Sequence, residues 1–131
     1  ELLDRRHLYK HVHVLGHVAD ERLAGLYTGG VATLLTSEHE GFGFPLLEAQ
    51  ACGSPVVAGR HSSLTEIGGE SYVGVEGADP EEWAEAVAGV AFDQEQRDRF
   101  KQLGLANVER FSWEKTAREM LDVYLGAISK S

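Results

Sequence analysis

The stretch TSEHEGFGFPLLEAQACGSPVVA, residues 36–58, contains the turns and apolar runs that decide the fold. It follows the short apolar run VATLLT at residues 31–36, which is typical of a strand buried on both faces of a parallel sheet. A glycine-rich turn at residues 41–44 then leads into a short helix that ends at Gly53, and a second buried strand begins at Val56. The stretch therefore predicts a strand–helix–strand unit with parallel strands and a right-handed crossover.

Two glutamates frame the turn. Glu40 precedes it and Glu48 lies about one turn into the helix, which Pro45 begins, with seven residues between the two glutamates. In such a unit, ligands bind beyond the carboxyl ends of the strands, where the helix N-terminus favours anions. Because a carboxylate accepts two hydroxyl donors at once, the pair suits a ligand with a diphosphate between two vicinal diols, such as a nucleotide sugar. Taken singly, Glu40 is equally a loop charge and Glu48 a solvated helix residue favoured by the dipole.

The combined pattern resembles the signature of a known enzyme family. Ser37-x2-Glu40-Gly-Phe-Gly-Phe-Pro45-x2-Glu48-Ala-x-Ala-x-Gly53-x-Pro55-Val-Val is similar to the signature of retaining glycosyltransferases of family 4, which have the two-domain GT-B fold. The resemblance extends from about Val12 to Tyr124. In the family this region belongs to the C-terminal, donor-binding domain, so the resemblance implies that the acceptor domain and two strands of the donor domain precede residue 1.

We therefore expect residues 1–131 to form a single domain that is part of a nucleotide-sugar-binding domain. The expected fold class is α/β, with a partial Rossmann-like parallel sheet from the C-terminal domain of a GT-B fold and a helical C-terminal tail. The longer protein would transfer a sugar from a nucleotide-diphosphate sugar to an acceptor and retain the anomeric configuration. The fragment alone is expected to be inactive, because the resemblance places the arginine and lysine that clamp the diphosphate in the preceding segment.

The resemblance also implies roles for individual residues. Glu40 would be the catalytic residue, holding sugar hydroxyls and the charge that develops at the reacting centre, and Glu48 would hold the ribose hydroxyls. The remaining donor-binding residues are expected to lie at the turn and in an earlier loop near the base; they are Gly41, Phe42, Gly43, Phe44 and Leu47, and Gly16, His17 and Val18. No metal or other cofactor is expected, since family members are generally metal-independent and the chain has no convincing Asp-x-Asp motif.

The donor itself is indicated only by a weak likeness. Residues 62–66, SSLTE, are similar to a Ser-Ser-Leu-Pro-Glu loop of mannosyltransferase-like branches, with Thr65 in place of the proline, which favours GDP-mannose. A serine that caps the following helical turn explains the same residues equally well. Two other functions stay open: another GT-B enzyme of the phosphorylase or epimerase kind, and a non-catalytic sugar-nucleotide-binding or assembly module that completes a partner chain.

Composition sets broad limits. With 131 residues, 43% of them hydrophobic, the chain can bury one core. A net charge of -9 argues against nucleic acid and anionic lipid as partners, and no apolar run reaches the length of a transmembrane segment. Cys52 is the single cysteine, so an internal disulfide is impossible, which agrees with a cytoplasmic location. Three histidines near a predicted strand, at positions 11, 13 and 17, lack the partners that a metal site needs.

The remaining elements follow from local signals. Residues 1–10 predict the tail of a helix, residues 12–15 a strand, and Asp20 the N-cap of a helix with Leu23, Leu26 and Tyr27 on its apolar stripe. Residues 71–75 predict the last strand. Three helices should then begin at Asp79, Asp93 and Ser112, with their aromatic residues in the core.

The resemblance predicts a gap in the sheet. In the family's donor domain, two strands that would precede residue 1 lie between the strand at residues 12–15 and the strand at residues 31–36. A gap leaves backbone groups unpaired and strand edges open. We therefore expect the chain to self-associate, to pair with a complementary chain, or to be marginally stable.

Overall fold

The computed structural model describes residue 8 and residues 10–129. The predicted helix at residues 1–10 lies outside the described residues, apart from positions 8 and 10. The described helices and strands are α1 (Asp20–Gly29), β1 (Thr33–Leu35), α2 (Phe44–Ala51), β2 (Val56–Gly59), α3 (Ser62–Gly68), β3 (Val73–Val75), α4 (Pro80–Phe92), α5 (Gln94–Val108) and α6 (Trp113–Ile128).

The strands form a parallel sheet in the order β1-β2-β3. Thr33 pairs with Val56 across the first ladder, and Val57 pairs with Val73 across the second. The predicted strand–helix–strand unit and the α/β class are therefore confirmed. The outer strands are shorter than predicted, since β1 begins at Thr33 and β3 at Val73.

Helices cover both faces of the central strand. On one face, Val56 and Ala58 of β2 pack with the buried side chains of α2 and α3, among them Leu46 and Leu64. On the other face, Val57 packs with Val75 and with Val90 of α4. All four residues of β2 are buried, as expected for a parallel strand between two helical layers.

A buried polar network joins α2 to α5. The Gln50 amide nitrogen donates to the Ser71 carbonyl at 3.1 Å and to the Ser71 hydroxyl at 2.7 Å. The Asn107 amide in turn donates to the Gln50 side-chain oxygen at 2.9 Å. Because each of these polar groups is buried, the network satisfies atoms that would otherwise destabilise the core, and it fixes α2 against α5.

The predicted strand at residues 12–15 is wrong, because this segment has no regular secondary structure. A strand needs a neighbour for its backbone groups, and among the described residues β1 pairs only with β2. The segment is instead exposed, with Val14 83% and Leu15 58% accessible. Among the described residues, the edge of β1 opposite β2 therefore has no strand beside it.

The predicted caps have mixed outcomes. Asp79, Asp93 and Ser112 each accept a backbone N–H in the first turn of their helix, so these three N-caps are confirmed. Asp20 is not a cap. The N-cap of α1 is Ala19, whose carbonyl accepts from Arg22 at 2.9 Å, and Asp20 is the first helical residue.

The last helix departs most from expectation. Trp83 of α4 packs against the core as predicted, but Trp113 and Tyr124 of α6 are 75% and 60% exposed, so the prediction that they are core residues is wrong. α6 carries many apolar residues, here called its apolar stripe, and no described element covers most of them. The exposed members include Met120, Leu121, Val123, Leu125 and Ile128. Within the described residues, no helix has the length and apolar character needed to span a bilayer.

Candidate functional site

The turn before α2 has a backbone geometry that requires glycine. Gly43 is the N-cap of α2 and has φ of 100°, in the left-handed region. Its carbonyl accepts hydrogen bonds from the backbone N–H groups of Leu46 at 3.1 Å and Leu47 at 3.4 Å. Pro45 occupies the first turn as predicted. The turn therefore ends at the N-terminus of α2, where free backbone N–H groups and the helix dipole supply partial positive charge.

The aromatic rings of the turn are held to one side. The Phe42 ring lies 4.8 Å from the Phe44 ring and makes an edge-to-face contact with Phe111 at 6.2 Å. Phe44 stacks on Trp113 at 6.2 Å. Both rings therefore lie beside the segment that leads into α6, and Gly43 between them is buried. A cavity of about 270 Å³ lies among these rings.

Glu40 lies in a loop that is tied to the next strand–helix connection. Its residue is half-buried, and its backbone carbonyl accepts a hydrogen bond of 2.8 Å from the Ser63 hydroxyl. Ser63 belongs to α3, whose N-cap is His61, and the His61 side chain makes no cap hydrogen bond. The described contact of Ser63 therefore holds the Glu40 loop and does not cap α3.

Glu48 lies on α2 with an exposed side chain. The Tyr27 hydroxyl of α1 donates a hydrogen bond to its Oε2 atom at 3.3 Å. Burial raises the pKa of Tyr27, and the negative charge of Glu48 raises it further. The two side chains line a cavity of about 380 Å³ between α1 and α2.

The loop of Gly16, His17 and Val18 lies apart from Glu48. Gly16 has φ of 65°, and His17 and Val18 line a cavity of about 470 Å³ against α1. This cavity shares no lining residue with the cavity at Glu48. The structure places Glu40 in the loop before α2 and Glu48 on α2, whereas His17 and Val18 line a different cavity. The loop follows the segment that has no strand partner, so no sheet contact holds it against α2.

A further cavity of about 550 Å³ lies at the carboxyl ends of all three strands. Loop residues from each strand line it, including His39, His61 and Glu76. The His39 and His61 rings lie 6.4 Å apart, and within the described residues the buried Nδ1 atom of His61 has no hydrogen-bond partner. No group of three or more metal-ligating side chains occurs in the part of the chain that the structure describes.

Positive charge near the turn is limited. The Nε atom of Arg60 lies 3.7 Å from a carboxylate oxygen of Glu76, and its side chain crosses the face of Gly74. Arg60, which follows β2, is therefore paired with a glutamate that follows the neighbouring strand β3. Leu47 is 8% exposed, packs in the core and also lines the cavity among the aromatic rings.

Sequence reasoning missed two residues of this site. Tyr27 was predicted only as part of an apolar stripe, and Ser63 only as a cap or as part of a family-like loop. Each contacts a partner more than twenty positions away, since 21 residues separate Tyr27 from Glu48 and 23 separate Ser63 from Glu40. No local pattern reports a pairing of that kind.

The chain is similar to several known proteins. The family described as glycosyl transferases group 1 matches residues 1–123. The D-inositol 3-phosphate glycosyltransferase of Corynebacterium urealyticum is 33% identical over 126 residues, which are 95% of this chain and 30% of that protein. The O-antigen chain mannosyltransferase B of Escherichia coli is 34% identical over 117 residues, 86% of this chain and 30% of that protein.

A solved structure shows the same fold. Sucrose-phosphate synthase from Thermosynechococcus elongatus superposes with a TM-score of 0.88 at 28% identity, covering 99% of this chain and 33% of that one. The chain therefore spans about a third of the length of the proteins that it matches.

Proposed function

We propose, from the premise that this chain belongs to the family of group 1 glycosyl transferases, that it is the donor-binding part of a sugar-transferring enzyme. The predicted resemblance to glycosyltransferases with the GT-B fold is confirmed. The whole enzyme would transfer a sugar from a nucleotide-diphosphate sugar to an acceptor. The observation that carries the proposal is the order of Glu40, the glycine turn and Glu48, with Glu40 in the loop before α2, Gly43 as the N-cap of α2 and Glu48 exposed on the helix.

The diphosphate would bind at the N-terminus of α2. Backbone N–H groups and the helix dipole supply partial positive charge there. Gly43, with φ of 100°, lets the chain turn sharply into α2, and the Phe42 and Phe44 rings contact Phe111 and Trp113 beside this turn. Gly41 and the backbone of Leu47 complete this part of the proposed site.

Glu48 would bind the ribose. Its carboxylate is exposed about one helical turn beyond the diphosphate position and accepts two hydroxyl donors at once. Glu40 would act on the sugar at the other end of the diphosphate. Its carboxylate would accept hydrogen bonds from sugar hydroxyls and stabilise the positive charge that develops at the anomeric carbon, with retention of configuration.

Two parts of the proposed machinery depend on the rest of the protein. Arg60 is paired with Glu76, so cations that neutralise the diphosphate would come from the preceding segment. The loop of Gly16, His17 and Val18 would contact the base through backbone atoms, and it needs a strand partner for residues 12–15 to be held beside α2. We therefore infer that this chain alone binds donor weakly and does not catalyse transfer.

The proposed donor is GDP-mannose. The support is the loop at residues 62–66, which is similar to that of mannosyltransferase-like branches, and the similarity to a relative named as a mannosyltransferase. No metal ion is needed in this proposal, since cationic side chains of the preceding segment would neutralise the diphosphate.

The melting temperature in the presence of nucleotides tests the proposal. A ligand that binds the native state raises the melting temperature, so the full-length protein would be titrated with GDP, GDP-mannose, UDP and UDP-glucose. We expect GDP-mannose and GDP to raise it and the uridine compounds to have a smaller effect. Glu48→Ala should abolish the shift, whereas Glu109→Ala, an exposed glutamate at the end of α5, should leave it unchanged.

Each outcome has a separate meaning. A selective shift with the uridine compounds would reject GDP-mannose and keep the donor site. A shift that persists in Glu48→Ala would reject the role of that residue. No shift with any nucleotide-diphosphate sugar would reject the donor site itself.

A second candidate function is an assembly module that completes a partner chain or associates with a copy of itself. The open edge of β1 and the exposed apolar stripe of α6 favour it. The mass of the natural protein and its sedimentation separate the candidates. A long, monomeric polypeptide supports the enzyme, whereas a short chain that sediments as an oligomer or with a complementary chain supports the module.

A further inference from the structure

We propose that Tyr27 is a positioning residue for Glu48, holding one carboxylate oxygen so that the rest of the group faces the ribose hydroxyls of the donor. The inference rests on the proposed function and adds to it a residue on a different helix. The contact that carries it is the hydrogen bond from the Tyr27 hydroxyl to Glu48 Oε2, 3.3 Å long.

Tyr27 is suited to fix another side chain because it is itself fixed. Its ring is half-buried and packs against the core cluster that contains Leu46 and Val56. Glu48 is exposed and would otherwise lose several rotamers when it binds a ligand. A hydrogen-bond donor on an immobile ring restricts the rotamers of Glu48 before the ligand binds, so less conformational entropy is lost on binding. This is the general advantage of a preorganised site.

The chemistry of the phenol also fits the task. A tyrosine hydroxyl donates a hydrogen bond to the carboxylate without adding charge to the site. Burial and the Glu48 carboxylate both raise the pKa of Tyr27, which keeps its proton in place at neutral pH. A carboxylate offers about four lone-pair positions, and Tyr27 takes one of them.

The length of this hydrogen bond is consistent with a contact that orients the Glu48 carboxylate and leaves it able to bind a ligand. At 3.3 Å it is longer than a strong O–H···O hydrogen bond. Both side chains line the same cavity between α1 and α2, so the carboxylate remains accessible beside the ring. Tyr27 therefore constrains the direction of Glu48 and leaves it free to bind.

Donor kinetics of the full-length protein test the proposal. Tyr27→Phe keeps the ring and removes the hydroxyl. We expect it to raise the KM for the donor about 3- to 10-fold, the size of one partly exposed hydrogen bond, with kcat changed less than about 2-fold. Tyr124→Phe removes an exposed hydroxyl on α6 and is the matched control.

A double-mutant cycle separates positioning from structure. If Tyr27 acts through Glu48, Tyr27→Phe has no further effect on the KM in a Glu48→Ala background. An equal effect in both backgrounds, or no effect of Tyr27→Phe where Glu48→Ala raises the KM, overturns the inference and leaves the proposed function intact. If Glu48→Ala itself leaves donor KM unchanged, the proposed role of Glu48 fails, and the positioning role of Tyr27 fails with it.

An absorbance titration adds a direct readout. Ionised tyrosine absorbs in the near ultraviolet, so the titration of Tyr27 is visible as the component lost in Tyr27→Phe. Glu48→Ala should lower the pKa of that component, because it removes both the negative charge and the acceptor. An unchanged pKa would show that the two groups do not interact in solution and would overturn the inference.

Discussion

A β-carbon on Gly43 would lie 2.7 Å from the Cδ2 atom of Leu64. Leu64 belongs to α3 and is fully buried, so its side chain cannot move aside without opening the core. Gly43 also has φ of 100°, which L side chains rarely adopt. Backbone conformation and packing therefore independently exclude a side chain at the turn before α2.

The first prediction concerns this turn. Gly43→Ala should lower the free energy of unfolding by about 1–3 kcal/mol, because it combines backbone strain with a contact that the core cannot relieve. Urea denaturation measures the change. Gly25→Ala in α1 is the matched control, since a β-carbon there meets nothing within 4 Å and should be neutral or stabilising. Equal stability of Gly43→Ala and the native protein would contradict the geometry of the turn.

The second prediction concerns the bond between the two loops. Ser63→Ala removes the hydroxyl that donates to the Glu40 carbonyl at 2.8 Å. The free energy of unfolding should fall by about 0.5–1.5 kcal/mol, and donor KM should rise because the loop that bears Glu40 loses a fixed contact. Thr28→Ala, which removes a hydroxyl bonded within α1, should leave donor KM unchanged. A Ser63→Ala enzyme with native donor kinetics would show that the contact has no part in binding.

The third prediction concerns the buried network. Gln50→Ala leaves the Asn107 amide without its acceptor and creates a cavity, and we expect a loss of about 2–4 kcal/mol of stability. Gln102→Ala on the exposed side of α5 should change stability by less than about 0.5 kcal/mol. Denaturation midpoints of the two variants measure the difference, and similar midpoints would contradict a structural role for the network.

The fourth prediction concerns alkaline pH. The pKa of Tyr27 is raised in the folded protein, so the native state holds its proton more tightly than the unfolded chain does. The stabilisation is fully present below the unfolded tyrosine pKa of about 10 and is lost as the pH rises through the higher folded value. Stability should therefore fall above about pH 10, and Tyr27→Phe should make this fall shallower. An identical alkaline profile for both proteins would show that Tyr27 titrates normally.

The central part of the fold was predictable because its signals are local. The glycines and proline around α2, the glycine after it and the valines of β2 each specify backbone conformation within a few residues. The caps at Asp79, Asp93 and Ser112 are equally local, and all three are confirmed. The prediction that Asp20 is an N-cap was wrong by one position, because the Ala19 carbonyl already accepts the first helical hydrogen bond.

The failures have a common physical cause, which is dependence on distant partners. Residues 12–15 have the composition of a strand, but a strand exists only beside another strand. The apolar stripe of α6 shows that this face favours burial, yet composition does not say what would cover it. The contact of Tyr27 with Glu48 likewise depends on how α1 packs against α2.

In the candidate site, too, the features set by local sequence were predictable and those set by distant partners were not. The turn before α2 and the place of Glu48 on that helix follow from local signals and were predictable, whereas the loop of Glu40 is held by Ser63 of α3. The roles of these residues, and of Gly16, His17 and Val18, stay predictions.

The helix α2 has a further consequence for any ligand that contacts both of its functional parts. Phe44 at the turn and Glu48 are four residues apart, which is about 6 Å along the helix axis. Because the axis is rigid and is anchored to α5 by buried Gln50, this distance does not adapt to the ligand. In the proposed site, the helix would therefore select molecules by the distance between their diol and their anionic group, whichever base or sugar they carry.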